Sequence, residues 1–225
     1  MRKLPLEKLH GVWSATPTPF TKDLKVDAVA VKRMVEHHLR LGVNGLFLAG
    51  TCGEGPWMSE VEQSRLVRNV KKYAKRKLVI AVQVTDNSAS RVVANIKTAK
   101  RDGADLAIVA PPLFFLNANN GTLTILYRQI LKESPLPVCI YDRGRYSSVV
   151  IPDSVLAEIY ADKRVVMVKD SSSDAQRREI ALSARKNRPN LKLLNGNEFQ
   201  CLKYLRAGYD GLLLGGGTVS YTHLR

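Results

Sequence analysis

The feature that most constrains this chain is an alternation that runs through nearly its whole length. Short apolar runs rich in Val, Ile and Leu are each followed by a longer stretch with helical periodicity. The runs are Val12–Thr16, Leu46–Ala49, Leu78–Val84, Leu106–Ala110, Val138–Tyr141, Val165–Val168, Leu191–Leu194 and Gly211–Leu214. Continuous apolar runs of this length predict parallel strands buried on both faces. The stretches between them predict helices over Asp27–Leu41, Ser59–Tyr73, Ser88–Arg101, Gly121–Glu133, Pro152–Ala161, Asp174–Lys186 and Glu198–Ala207. Ser59-Glu60-Val61-Glu62 has the form of a capping box, and Asp27, Asp153 and Asp174 bring acids to helix starts. Helices end at Gly42, Gly103 and Gly208, each followed by a polar turn and then a strand.

This is the grammar of repeated βα units. A doubly wound open sheet is one solution. However, no G-x-G-x-x-G follows the first strand, and Gly50-Thr51-Cys52-Gly53-Glu54-Gly55 has its glycines in the wrong order for that fingerprint. Eight strands fit a closed (β/α)8 barrel better. The 225 residues suit one sizeable domain, which we assign to 1–218, with 219–225 set apart.

Composition narrows the function classes. A hydrophobic fraction of 45% and a charged fraction of 24% exclude a disordered chain. No apolar stretch approaches a membrane span, and the start, Met1-Arg2-Lys3-Leu4-Pro5, lacks the apolar core of a secretory signal. Cys52, Cys139 and Cys201 match no zinc spacing, and no His/Asp/Glu cluster suggests a metal. A cytoplasmic protein without a membrane partner is therefore expected. The net charge of +15 raises nucleic acid as a partner, but the basic residues are scattered. The densest run, Lys71-Lys72-Tyr73-Ala74-Lys75-Arg76-Lys77, ends a predicted helix, where cations complement the dipole. We expect a solvated basic surface that gathers anionic substrates, and no specific nucleic-acid partner.

In a parallel barrel, chemistry collects where strands end. Lys169 closes the apolar run Val165-Val166-Met167-Val168. Desolvation there disfavours a charged ammonium over the neutral amine that attacks a ketone. The structural alternative is a lysine that snorkels to solvent. Tyr141 ends the preceding strand, close enough to reach Lys169, and a phenol can pass protons to and from a carbinolamine. It could equally be a core aromatic with its hydroxyl in water. Thr51, with the N–H groups of the glycine-rich turn after it, could hold a carboxylate at the start of the next helix. An ordinary strand-to-helix turn is the plainer reading. Cys52, read as lying at that helix N-terminus, could be a nucleophile but lacks a histidine partner. His37 and His38, adjacent on a helix, point different ways and read as surface or packing residues.

These residues carry a resemblance to the dihydrodipicolinate synthase and N-acetylneuraminate lyase family of Schiff-base barrel enzymes. It spans Gly11 to Thr218. Gly11-Val12-Trp13-Ser14-Ala15-Thr16-Pro17-Thr18-Pro19-Phe20 resembles the family opening, and Gly50-Thr51-Cys52-Gly53-Glu54 its carboxylate loop. Ile140-Tyr141-Asp142 resembles the catalytic-tyrosine segment, and Val166-Met167-Val168-Lys169-Asp170 the strand of the Schiff-base lysine. Asn195-Gly196-Asn197-Glu198 and Ala207-Gly208-Tyr209-Asp210-Gly211 resemble the last two βα elements. The resemblance implies a lyase or aldolase in which Lys169 forms an imine with pyruvate or another 2-oxo acid. Tyr141 relays protons, and Thr51, Cys52, Gly53 and Leu213 bind substrate, with Thr51 also in the catalytic set. No cofactor is implied. A homo-oligomer, a tetramer by resemblance, is.

The match has departures. Phe114 stands where the synthase has the tyrosine that completes its proton relay, and phenylalanine carries no proton. Tyr146 stands at the substrate-binding arginine, with Arg145 one residue early, and Cys52 replaces a threonine. These changes argue against the synthase itself, the alternative reading, and for a branch acting on sugar-derived 2-oxo acids. Val219-Ser220-Tyr221-Thr222-His223-Leu224-Arg225 matches nothing in the family and reads like one frame of a sequencing adapter. We expect it to be a non-native tail on a barrel truncated after strand eight and lacking a C-terminal helical bundle. A non-catalytic barrel that senses a 2-oxo acid is the alternative of another class.

Overall fold

The computed structural model describes Leu4 and residues 6–215. The strands are β1 (Gly11–Ala15), β2 (Gly45–Leu48), β3 (Val79–Gln83), β4 (Leu106–Val109), β5 (Val138–Asp142), β6 (Val165–Asp170), β7 (Lys192–Asn195) and β8 (Gly211–Leu214). All pair in parallel in chain order, and β8 returns to β1, so the sheet is a closed barrel and not the open alternative. Closure leaves no strand edge with unpaired backbone groups. The helices are α1 (Ala28–Leu41), α2 (Glu60–Ala74), α3 (Ala89–Asp102), α4 (Asn120–Glu133), α5 (Asp153–Ala161), α6 (Ala175–Asn187) and α7 (Cys201–Arg206).

Alternation along each strand builds two cores. One side chain set fills the barrel: Trp13, Phe47, Ile108, Met167, Leu194 and Leu213 are all essentially inaccessible. The other set faces outward and packs under the helices, with Leu46, Ile80, Val138, Ile140 and Val168 among its members. Asp27 and Asp174 cap α1 and α6 through their carboxylates, and Gly42 and Gly103 end α1 and α3 in the left-handed conformation.

Two local expectations are corrected. At α2 only half of the capping box forms. Ser59 accepts from the Glu62 N–H, but the Glu62 carboxylate turns away to the Val26 N–H at 2.6 Å and to Arg65. Tertiary demand at the buried Val26 amide wins over the local reciprocal bond. The stretch Glu198–Ala207 is not one helix but a 3-10 turn, Glu198–Gln200, followed by α7. Asn197 uses its side chain to cap the Phe199 N–H, which tightens the entry. Residues 219–225, expected to be a non-native tail, lie outside the described residues.

The C-terminal ends of β5 and β6 are pinned from outside. β5 and β6 pair with Tyr141 opposite Lys169 and Asp142 opposite Asp170. Because side chains alternate, holding the two aspartates outward holds Tyr141 and Lys169 inward. Asp142 is 1% exposed and takes Arg177 Nη1 at 2.8 and 3.0 Å on its two oxygens, with the Gly144 N–H at 2.9 Å. Burial pushes the Asp142 carboxyl above its usual range, and Arg177 opposes that shift. The second Arg177 nitrogen donates to the Ile151 carbonyl. Asp170 accepts from the Ser172 hydroxyl at 2.7 Å and N–H at 2.9 Å, and from the Tyr209 hydroxyl at 2.8 Å. Burial and then the Asp170 charge push the Tyr209 phenol far above its usual value, so it stays a donor.

His38 locks α1 onto β1. It is 2% exposed, with one ring nitrogen 2.8 Å from the Met34 carbonyl and the other 2.9 Å from Ser14 Oγ. His37 beside it is only half-buried.

Two outcomes follow. Arg177→Met leaves the buried Asp142 carboxylate without its cation and is expected to cost about 3–5 kcal/mol in urea unfolding. Burial lowers the His38 pKa below its free value of 6.5. Its contribution is therefore present above about 6.5 and lost as pH falls from there through the folded value. The stability drop between about pH 7.5 and about pH 5 should be smaller in His38→Gln than in the parent chain.

Candidate functional site

Lys169 sits at the C-terminal mouth of the barrel, 5% exposed, and does not snorkel outward. Its Nζ lies 4.1 Å from the Tyr141 ring centroid and 4.6 Å from that of Phe47. Both distances are within cation–π reach. The two rings meet edge to face at 5.8 Å. Nζ has no ion pair or hydrogen bond among the described residues, so its lone pair or charge is not committed to a structural partner. The Tyr141 hydroxyl is likewise without a partner there, and Tyr141 lines a cavity of about 140 Å³ at this mouth.

Thr51 lines the same cavity. The loop carrying it leaves β2 through Ala49 in the left-handed region, φ 53°, and doubles back. The N–H groups of Gly53 and Gly55 both donate to the Gly50 carbonyl at 3.1 Å, and Glu54 donates to the Thr51 carbonyl. Gly55 has to be glycine, since a Cβ there would stand 1.7 Å from the Ala49 carbonyl oxygen. The turn uses up the Gly53 amide, and the Gly53 carbonyl accepts from Thr18 Oγ1 at 2.6 Å. The N–H groups of Thr51 and Cys52 have no partner among the described residues. Thr51, Tyr141 and Lys169 are thus gathered at one mouth, with Gly53 building the turn beneath.

Cys52 is exposed, and the place expected for it is corrected. The turn runs into a 3-10 segment, Gly55–Trp57, and α2 begins only after its cap at Ser59. Cys52 therefore lies well before the N-terminus of α2 at Glu60. Its sulfur instead faces the end of β8, where a Cβ on Gly215 would come within 2.7 Å. Leu213 is wholly buried in the barrel interior, paired with Trp13 of β1. Cys139 lies in the same interior, and burial pushes its thiol up to about 12, which makes it an inert packing group.

The positions that depart from the family pattern lie outside the cavity wall. Phe114 is 62% exposed, and the neighbouring Leu113 lines the cavity instead. Arg145 and Tyr146 associate with one another, the guanidinium donating to the Tyr146 hydroxyl at 3.1 Å, and both are exposed.

Several site residues had no readable signal. Phe47, Gln83, Arg143, Ser147 and Gly196 are brought together by the barrel from four places: β2, β3, the loop after β5 and the turn after β7. The glycine at 196 is required by close approach. A Cβ there would meet Ser171 Oγ at 2.1 Å and Lys169 Cε at 2.8 Å. Asp142 and Asp170 follow Tyr141 and Lys169 in the sequence, but nothing there pointed to their partners Arg177 and Tyr209.

Among the described residues no group of three or more His, Cys, Asp or Glu is placed to hold a metal, and no helix is long and apolar enough to cross a membrane. The chain is 31% identical over 207 residues to 4-hydroxy-tetrahydrodipicolinate synthase of Thermotoga maritima, covering 91% of this chain and 69% of that one. It is 28% identical over 206 residues to the same-named enzyme of Chlorobium limicola, again covering 91% and 69%. Among solved structures, a dihydrodipicolinate synthase of Thermotoga maritima superposes with a TM-score of 0.87 at 27% identity, over 94% of this chain and 72% of that one. A monomeric dihydrodipicolinate synthase variant superposes at 0.89 and 27% identity, over 97% and 73%. A family model matches residues 8–217, and the chain belongs to the Dihydrodipicolinate synthetase family.

Proposed function

We propose that this chain is a class I lyase or aldolase that forms an imine between Lys169 and a 2-oxo acid. The observation that carries the reading is the environment of Lys169. A lysine 5% exposed, with two aromatic faces and no ion pair among the described residues, is an amine held ready and not a structural cation. In the reaction, neutral Nζ adds to the keto carbon to give a carbinolamine. Loss of its hydroxyl as water, with a proton supplied by the Tyr141 phenol, leaves the protonated imine. That cation is an electron sink for the bond next to it. A proton can leave the adjacent carbon, or a carbon–carbon bond can break or form there. The free N–H groups of Thr51 and Cys52 suit the substrate carboxylate, with the Thr51 hydroxyl beside them. Leu213 supplies the apolar wall of the interior from β8.

The relatives at 28–31% identity are named for dihydrodipicolinate chemistry, but two features favour a different aldehyde or leaving group. Phe114 cannot extend a proton relay, and Arg145 is engaged with Tyr146 away from the cavity. Poor turnover of pyruvate with aspartate semialdehyde is the expected result, and efficient turnover would refute this branch of the reading.

Borohydride reduces an imine to a stable secondary amine. Incubation with pyruvate followed by reduction should add one adduct, mapped to Lys169, and Lys169→Ala should abolish it. Gly196→Ala, which drives a methyl into Lys169 Cε, should slow adduct formation by roughly a hundredfold. A folded chain that gives no adduct with any 2-oxo acid would leave a non-catalytic binding barrel ahead.

A further inference from the structure

The cavity at the barrel mouth contains more polar equipment than pyruvate can use. Twelve residues line it, and Arg143 is the one charged side chain among them. Arg143 is half-buried, at the start of the turn after β5, and its guanidinium has no ion pair or hydrogen bond among the described residues. Every other arginine that packs near this end has work: Arg177 holds Asp142, and Arg145 is on Tyr146. Two further groups on the same wall are unsatisfied. Gln83 Oε1 is sealed from water without a hydrogen-bond partner on a residue only 8% exposed, and Ser147 Oγ is buried without a partner. Gln83 closes β3 on its inward-facing row, after Val79 and Ala81, so it belongs to the interior by register.

Buried polar groups in proteins are nearly always hydrogen-bonded, and an orphan is costly to leave unpaired. Two orphans and a free arginine on one cavity wall form a set that a ligand would complete. An unneutralised guanidinium in such a place calls for a carboxylate or another planar anion. A side-chain amide and a hydroxyl call for donors and acceptors between that anion and the reacting carbon. The carboxylate next to the keto group is already accounted for by the loop at Thr51 and Cys52.

We propose that Arg143, with Gln83 and Ser147, forms a distal subsite for the far end of a hydroxylated 2-oxo acid that carries a second carboxylate. This rests on the Schiff-base reading above and names its substrate class. Arg143 takes the role of anion anchor that neither Tyr146 nor Arg145 is placed to fill. It is a binding and specificity residue, two positions beyond Tyr141, and takes no part in proton transfer.

The test uses the 225-residue chain. Borohydride-trapped adduct on Lys169 is measured against concentration for pyruvate, for a six-carbon 2-oxo monoacid and for the matching 2-oxo diacid. The two longer acids are each used with and without hydroxyls on the carbons between. The readout is the ratio of half-saturating concentrations, monoacid to diacid, taken within each variant so that changes in folded fraction cancel. The parent should favour the diacid by roughly tenfold to a hundredfold. Arg143→Met should bring the ratio close to one, Arg143→Lys should restore part of it, and Gln83→Leu should erase the preference for the hydroxylated acids. Equal trapping of monoacid and diacid by the parent, or a diacid preference that survives Arg143→Met, would overturn the subsite while leaving the Schiff-base reading intact. Absence of any adduct, pyruvate included, would overturn both.

Discussion

The arrangement rests on one register. β5 and β6 pair so that Tyr141 lies opposite Lys169 and Asp142 opposite Asp170. A strand alternates its side chains, so a pair of residues pulled outward fixes the preceding pair inward. The outward pull is electrostatic and hydrogen-bonded: Arg177 on Asp142, Ser172 and Tyr209 on Asp170. A slip of one residue would turn both aspartates into the barrel and both Tyr141 and Lys169 out under the helices. Apolar burial alone would not guard against this, since both faces of β5 are equally covered. The ionic and polar contacts on the helix side therefore decide which face of each strand turns into the barrel.

The same logic explains why Lys169 is tolerated. A lysine at a strand end inside a packed barrel would usually need an anion. Here the nearby space is occupied by the faces of Tyr141 and Phe47, while the carboxylates next in sequence, on Asp142 and Asp170, are committed outward to other donors. The amine is left with aromatic neighbours and a cavity. Gly196 completes the arrangement by leaving room at Lys169 Cε that any side chain would fill. In the proposed reaction, Lys169 would owe its reactivity less to what contacts it than to what the fold keeps away from it.

Most of the architecture was legible in the residues. Apolar runs bounded by glycine stops placed all eight strands and seven helices within a few residues, because parallel strands buried on both faces leave an unambiguous pattern. Lys169, Tyr141 and Thr51 could be proposed because strand ends are readable and barrel function collects there. What could not be read was anything that depends on how the strands assemble. Arg143 and Ser147 follow β5 and Gln83 ends β3, and they share a cavity only once β3, β4 and β5 pair side by side. Likewise the purpose of Glu62 looked local, as a cap, until the folded chain showed it serving Val26 thirty-six residues away. Cys52 was misplaced because the turn after β2 and its 3-10 segment consume residues that a spacing argument assigns to the helix.

The central claim is that Lys169 and Tyr141 act on one substrate at one mouth. An imine of pyruvate acidifies the adjacent methyl, which loses a proton to give an enamine and regains one from solvent. Exchange of the pyruvate methyl protons in deuterium oxide, followed by proton NMR, reads that cycle without requiring the second substrate. The account predicts exchange catalysed by the parent chain, none with Lys169→Ala, and a marked slowing with Tyr141→Phe. Catalysed exchange that persists undiminished in Lys169→Ala would contradict it.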